Sequence, residues 1–240
     1  MNKPDHTLET TRPTDEIEKP EMQMLAHHVW QLNRSPSNLL NIYLIEDVLI
    51  DAATRWDAPS LLKQLANTPL SQVALTHCHP DHQGAVKRIC ETRGIPLACH
   101  EVDVASMEGR VPMQPRNVAT QFVGLVFAGP AYPVQRVLHD GDEIAGFRVI
   151  HTPGHTAGHV IYFRESDRVA IAGDVLNGIN LFTGKVGLHE PPAIFTLDRE
   201  ENRRSIRKLA QLRPSLVCFG HGPALYDMEQ LDRFVAQLPS

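Results

Sequence analysis

The heptapeptide Thr76-His77-Cys78-His79-Pro80-Asp81-His82 constrains this chain more than any other segment. It closes the short apolar run that begins at Ser71 and precedes a helical pattern, so it occupies a strand-to-helix junction. Three imidazoles and one carboxylate fall within six residues. Neutral imidazole and carboxylate are the donors that hold zinc and similar divalent ions. In extended backbone, residues two apart share a side, so His77 and His79 converge on one ion while Cys78 points away. Asp81 and His82, at the turn into the helix, face a second ion beside it. Burying three imidazoles and a carboxylate together without a cation would carry a severe desolvation cost. The segment therefore reads as a strand end and a helix start brought to one metal-binding place; the alternative is a solvated polar loop.

Three further segments each put a potential ligand just after a strand-like run: Pro153-Gly154-His155-Thr156-Ala157-Gly158-His159, Gly173-Asp174 and Gly220-His221-Gly222. Glycine permits the tight turns and close backbone approach that a crowded site requires. Strand ends meet at one edge of a sheet sandwich, so ligands this distant in sequence can share a site. His159 leads into an apolar strand and reads as structural. His100, His139 and His189 lack such a context and read as surface groups or as supports for a ligand. Cys78, Cys90, Cys99 and Cys218 form no C-x-x-C pair and are expected to be reduced thiols rather than a disulfide framework or a thiolate zinc site.

The rest of the chain reads as one domain over 22–240 behind a polar tail, 1–21, too poor in apolar residues to offset its ordering entropy. A hairpin is expected across Asn41–Ala53 with its turn at Glu46-Asp47, a helix over Pro59–Asn67 and a strand over Ser71–His77. A helix over Gln83–Arg93 stopped by Gly94 and a parallel strand over Ile95–His100 complete a β-α-β unit. Residues 102–133 read as a helix near Val102–Gly109, a proline-broken turn and an apolar Phe122–Ala128 that walls a pocket. Strands resume around a turn at Asp140-Gly141-Asp142. The chain closes with a helix capped at Asp198, the strand Ser215–His221 and a helix near Leu225–Leu238. Two such halves are compatible with two packed sheets covered by helices.

The motifs THCHPDH, PGHTAGH, AGD and GHG, in this order and at these intervals, resemble the metallo-β-lactamase superfamily, over about Leu25 to the C-terminus. The resemblance implies an α+β fold, a four-layer αβ/βα sandwich of two mixed sheets with helices outside. It implies two divalent ions, zinc by expectation with Mn2+ or Fe2+ as alternatives: His77, His79 and His155 on the first, Asp81, His82 and His221 on the second, and Asp174 bridging them. Asp51 matches a carboxylate that supports a ligand in the family, and the Thr76 hydroxyl stands where it could do the same. Such a centre implies metal-assisted hydrolysis by a hydroxide held between the ions, with Asp81 as the catalytic residue that orients it or relays its proton.

Among relatives, a β-lactamase usually lacks the bridging carboxylate and carries a secretory signal, whereas Asp174 is present here and the opening residues lack a signal peptide's apolar core. Glyoxalase II is similar in every ligand, yet VLNGINLFTGK replaces the glycine- and arginine-rich stretch after its bridging Asp. Quorum-quenching lactonases put Tyr where Asn177 stands. A small ester, thioester or lactone is the expected substrate, with Phe122–Ala128, Ile179, Leu181 and Phe182 as pocket wall. The alternatives are a persulfide dioxygenase-like enzyme with one iron on His77, His155 and Asp174, a phosphodiesterase or nuclease of the same superfamily, and a binding module that keeps the fold without activity, against which the full ligand set argues. A net charge of −5 offers no cationic field for nucleic acid. No apolar run spans a bilayer, so a soluble, cytoplasmic chain with a small-molecule substrate and no membrane partner is expected. A homodimer is compatible with the sequence.

Overall fold

The computed structural model describes residues 22–32 and 38–239; the expected tail over 1–21 lies outside them. The first half of the chain forms a seven-stranded sheet in the order β1 (Met22–Ala26), β2 (Val29–Leu32), β3 (Tyr43–Ile45), β4 (Val48–Ile50), β5 (Gln72–Ala74), β6 (Leu97–His100) and β7 (Arg136–Leu138). β1 to β4 are antiparallel neighbours; β4 to β7 are parallel. The second half forms a five-stranded sheet from β8 (Glu143–Ile144), β9 (Phe147–His151), β10 (Val160–Arg164), β11 (Val169–Gly173) and, beyond the small hairpin of β12 (Asn177–Ile179) and β13 (Val186–His189), β14 (Leu216–Phe219). Its order is β14-β11-β10-β9-β8.

Alternation along each strand makes the layers. In β10, Val160 and Tyr162 join Ile50, Ala74 and Phe147 between the sheets, while Ile161 and Phe163 turn outward to a helical layer. Because both faces are covered, these strands read as unbroken apolar runs. Helices α1 (Ala58–Gln64), α2 (Pro80–Gln83) and α3 (Val86–Arg93) belong to the first half, where Leu61, Leu65, Val86 and Ile89 pack on the outer face of the seven-stranded sheet. After α4 (Val104–Met107) and α5 (Val118–Phe127), helices α6 (Arg199–Gln211) and α7 (Met228–Ala236) place Ile206, Leu209 and Leu231 on the outer face of the five-stranded sheet. The result is the expected αβ/βα sandwich. Two buried tyrosines tie its halves: Tyr43 donates to the Phe219 carbonyl at 2.7 Å and Tyr162 to that of Leu75 at 2.6 Å.

Several boundaries differ from the sequence reading. The expected helix over Gln83–Arg93 is split, because the Gly84 and Ala85 amides donate to the Ala53 and Ala52 carbonyls rather than along a helix. Phe122–Phe127 belongs to a longer helix, α5, which starts at an Asn117–Thr120 capping box and ends before Ala128. The Val102–Gly109 helix shrinks to a 3-10 turn over Glu101–Asp103 followed by α4. Leu225 is not helical: it pairs with Val217, and α7 begins after Asp227, whose side chain accepts from the Glu229 amide. The turn at Asp140–Asp142 joins β7 of one sheet to β8 of the other rather than two paired strands. Asp198 caps α6 as expected, accepting from the Glu201 amide at 2.9 Å.

Candidate metal centre

Strand direction explains how the four motifs meet. β11 and β14 are parallel, and β9 is antiparallel to β10, which is antiparallel to β11, so β9, β11 and β14 all run the same way. His155, Asp174 and His221 follow the carboxyl ends of these three strands, and His77 follows that of β5. The backbone stitches these ends together: Val160 N donates to Thr76 O at 2.8 Å, Gly220 N to Gly173 O at 2.9 Å, and Asn41 N to Gly220 O at 2.8 Å.

All seven residues singled out in the sequence gather here. Donor atoms lie within 4.8 Å of one another in three groups: His77, His79 and His155; His77, His82 and Asp174; and Asp81, His82 and His221. Asp174 lies between the first and third groups. Its Oδ2 is 2.9 Å from His221 Nε2 and 3.7 Å from His155 Nε2, and its Oδ1 is 3.4 Å from His82 Nε2. Asp81 Oδ2 is 3.4 Å from His221 Nε2 and 4.0 Å from His82 Nε2.

The outward nitrogens reveal what the inward ones can do. Asp51 Oδ2 accepts from Thr76 Oγ1 at 2.8 Å and from His82 Nδ1 at 2.9 Å. The Thr76 hydroxyl is thereby spent as a donor and accepts from His77 Nδ1 at 3.1 Å. Thr196 likewise donates to the Pro192 carbonyl at 3.0 Å and accepts from His155 Nδ1 at 3.4 Å. His221 Nδ1 donates to the Leu39 carbonyl, and His79 Nε2 to the Gln114 carbonyl at 2.8 Å. A carbonyl only accepts, so each partner fixes the tautomer. Five lone pairs, on Nε2 of His77, His82, His155 and His221 and on Nδ1 of His79, are thus left for the cluster. Nε2 of His77, His82 and His155 and Oδ1 of Asp174 are buried and make no hydrogen bond among the described residues. Buried polar atoms are rarely left so, and imidazole and carboxylate donors that face one another without a hydrogen bond fit divalent ions.

The field has two signs. Burial, reinforced by neighbouring imidazoles, holds His77 and His155 well below the ordinary imidazole value, and burial also lowers His79. For His82, burial opposes the charge, yet Asp174, Asp51 and Asp81 together overcome it and raise the pKa. His221 is raised the same way, mainly by Asp174 against its own burial. Burial works against the Asp174 charge, but His221 and His82 keep its carboxyl well below the usual range.

Asp51 sits in left-handed backbone (φ 63°) directly after β4, a conformation that Asp tolerates better than most residues. From there it also accepts from the Thr76 amide at 2.8 Å, so one carboxylate orients both His77 and His82. Asp51→Asn is expected to weaken metal binding about 10- to 100-fold with the fold retained, as losses of such supporting carboxylates do. Chelator competition on the folded variant measures this, and unchanged affinity would refute the orienting role.

His159 does have a structural place: its Nε2 accepts from the Asp174 amide at 3.0 Å and its Nδ1 meets Thr152 Oγ1 at 2.9 Å. Burial presses its pKa down to about 3, which keeps it neutral and able to accept. Cys78 is turned away toward Asp103, and all four cysteines are free and buried. His100 departs from the surface reading. It is buried and stacked on His151 with centroids 4.2 Å apart, and burial lowers its pKa to about 4.

A cavity of about 360 Å³ opens onto the cluster, lined on the metal side by His79, Asp81, His155, Asp174 and His221 and on the other by α5 and by Met113, Pro115, Leu181 and Phe195. The expected wall is therefore present in part. Leu181 and residues of the Phe122–Ala128 segment line the cavity, whereas Ile179 is buried in β12 and Phe122 and Phe182 are exposed. Thr196 and the carbonyls of Gln114 and Leu39 carried no sequence signal, since every residue offers a carbonyl and a lone Thr is commonplace.

A family model of the metallo-β-lactamase superfamily matches residues 39–221. The chain is 30% identical over 213 residues to the probable metallo-hydrolase YflN of Bacillus subtilis, covering 77% of this chain and 81% of that one. Among solved structures, TTHA1623 in a di-iron-bound form superposes with a TM-score of 0.63 at 30% identity, covering 85% of this chain and 96% of the other. The B3 metallo-β-lactamase BLEG-1 gives 0.65 at 28% identity, covering 86% and 99%.

Proposed function

The chain belongs to the metallo-β-lactamase superfamily, as a metal-dependent hydrolase in the broad sense, and from that premise we propose that it cleaves small carboxylic esters, thioesters or lactones with two divalent ions, zinc first among them. The observation that carries this reading is the convergence of five imidazole lone pairs and two carboxylates beneath a small, mostly apolar cavity.

In this reading His77, His79 and His155 would hold one ion and Asp81, His82 and His221 the other, with Asp174 between them as the shared carboxylate. Bound ions at such a site polarise a carbonyl oxygen and lower the pKa of water toward neutrality. The chain's own part is orientation and proton handling. Asp51, Thr76, Thr196 and the Gln114 and Leu39 carbonyls hold the imidazoles in one tautomer. Asp81 is the most exposed carboxylate of the cluster, its side chain 27% accessible, and it lines the cavity. It is therefore placed to accept a proton from attacking water and pass it toward the leaving group. The cavity lies at the lower end of the range for small-molecule sites, which supports a compact substrate over a polymer. Cytoplasmic residence belongs to the same proposal; no helix among the described residues is long and apolar enough to cross a membrane.

A single-iron, dioxygenase-type centre would use His77, His155 and Asp174 and leave Asp81, His82 and His221 without an ion. Iron in place of zinc is a separate matter of metal identity, which the di-iron form of TTHA1623 keeps in view. Elemental analysis of the purified protein, with a panel of ester, thioester, lactone and phosphodiester substrates, tests the proposal. About two ions per chain with acyl turnover is the expected result; one iron with oxygen uptake and no hydrolysis would overturn it.

Loading should also be proton-coupled. The carboxylates favour protons on His82 and His221, and an ion must displace them. Metal affinity is expected to rise with pH through the ordinary imidazole value of about 6.5 and to go on rising above it. Metal titration in weakly buffered solution should release protons; affinity flat across that interval would contradict the assignment of these two ligands.

A further inference from the structure

We propose that Gly124 is a specificity-determining residue: its missing side chain makes room, along the inner face of α5, for an uncharged apolar acyl chain of the substrate. This deepens the acyl-hydrolase reading and rests on it for the identity of the reacting group.

Glycine inside a helix costs stability relative to alanine, so a position that keeps it usually has a reason in the backbone. Of the fifteen glycines in the chain, every one but Gly124 has such a reason: either its φ is positive, or an added Cβ would run into neighbouring atoms. At Gly124, within the ten-residue α5, φ is ordinary and an added Cβ would meet nothing within 4 Å beyond the helix itself. The fold therefore makes no use of the missing methyl group. The space it frees belongs to the cavity over the His/Asp cluster, which Gly124 lines together with Thr120, Gln121, Val123 and, just past the end of the helix, Ala128. Thr120 and Gly124 lie one turn apart on the same side of the helix, with Gln121 and Val123 beside them. Leu181, Phe195 and Met113 also line the cavity, as do the polar Arg116 and Gln121; most of the wall is apolar, so hydrocarbon is held beside Gly124 by burial rather than by hydrogen bonds.

Straight-chain carboxylates, the products of acyl hydrolysis, are the probe. With metal-loaded protein, calorimetry should show octanoate binding more tightly than butanoate, by up to about fourfold for each methylene buried. Gly124→Leu should weaken octanoate at least tenfold and change butanoate less than twofold, with Gly124→Ala in between. Leu125→Ala, on the outward side of α5, should leave the preference intact. Because nothing in the fold needs the glycine, Gly124→Ala should raise the thermal midpoint by about 1 to 4 °C. A lowered midpoint, an octanoate preference absent from the wild type, or a preference untouched in Gly124→Leu would each overturn the proposal. If the preference depends on Gly124 while no ester, thioester or lactone is turned over, the pocket assignment stands and the acyl-hydrolase reading falls.

Discussion

Asp174→Ala is expected to lower metal content from about two ions per chain toward one or none and to reduce hydrolysis at least about 100-fold, while leaving the circular dichroism spectrum that of a folded protein. The size follows from geometry. Losing a residue that merely orients a ligand costs about 10- to 100-fold, and Asp174 is in the cluster itself, its two oxygens facing His82, His155 and His221. It is also the buried negative charge that makes the cluster attractive to cations; His82 and His221 hold its carboxyl ionised. Asp174→Asn keeps the shape and removes the charge, so it separates the two contributions: metal loss in both variants points to charge, and loss in the alanine variant alone points to shape. Elemental analysis and acyl turnover on each variant measure this. Unchanged hydrolysis in Asp174→Ala would refute the bridging assignment.

Gly154→Ala should have the second largest effect, for a reason unrelated to charge. Gly154 has φ 129°, a backbone conformation that side-chain-bearing residues rarely adopt, and a Cβ there would lie 2.1 Å from Asn202 N and 2.4 Å from its Cα. Those are backbone atoms of α6 and cannot rotate aside. Asp198 N also donates to Gly154 O at 2.8 Å, so the turn before His155 and the start of α6 are one assembly. Strain of this kind belongs to the severe class of point mutations, and a loss of about 3 kcal/mol or more is expected. For a chain of this size that lowers the thermal midpoint by about 6 to 12 °C. Metal binding should weaken with it, because His155 is the next residue. A thermal melt of the variant decides the matter, and a midpoint within a degree of the wild type would mean that α6 yields more easily than its packing implies. The same substitution at Gly124 should act in the opposite direction, so the pair isolates position from residue type.

Most of the cluster was legible because its candidate ligands come in dense local groups. An H-x-H-x-D-H run has its geometry built in, through the alternation of a strand and the turn of a short helix, and the glycine-flanked His155, Asp174 and His221 each follow an apolar run whose ending marks a sheet edge. The β-α-β unit and the Asp198 cap were legible for similar reasons, since spacing and side-chain chemistry within a few residues decide them. The limits of α3, α5 and α7 were not. The break at Gly84 arises because two amides find carbonyls some thirty residues earlier, and Leu225 leaves the helical pattern to pair with Val217.

What the sequence determined by itself is the kind of donors and their local grouping, because these follow from side-chain identity and short-range periodicity; the sandwich that unites them came from the family resemblance that the motifs carry. What only the tertiary structure decided is which nitrogen of each imidazole faces the cluster, and how much room lies above it. The first depends on the carbonyls of Leu39 and Gln114 and the hydroxyl of Thr196, groups brought to the site by chain folded from elsewhere. The second depends on where α5 comes to rest, so that Gly124, indistinguishable in sequence from any turn glycine, opens onto the cavity. Both are long-range contacts, and a backbone carbonyl or an absent side chain leaves no local mark in a sequence by which to foresee them.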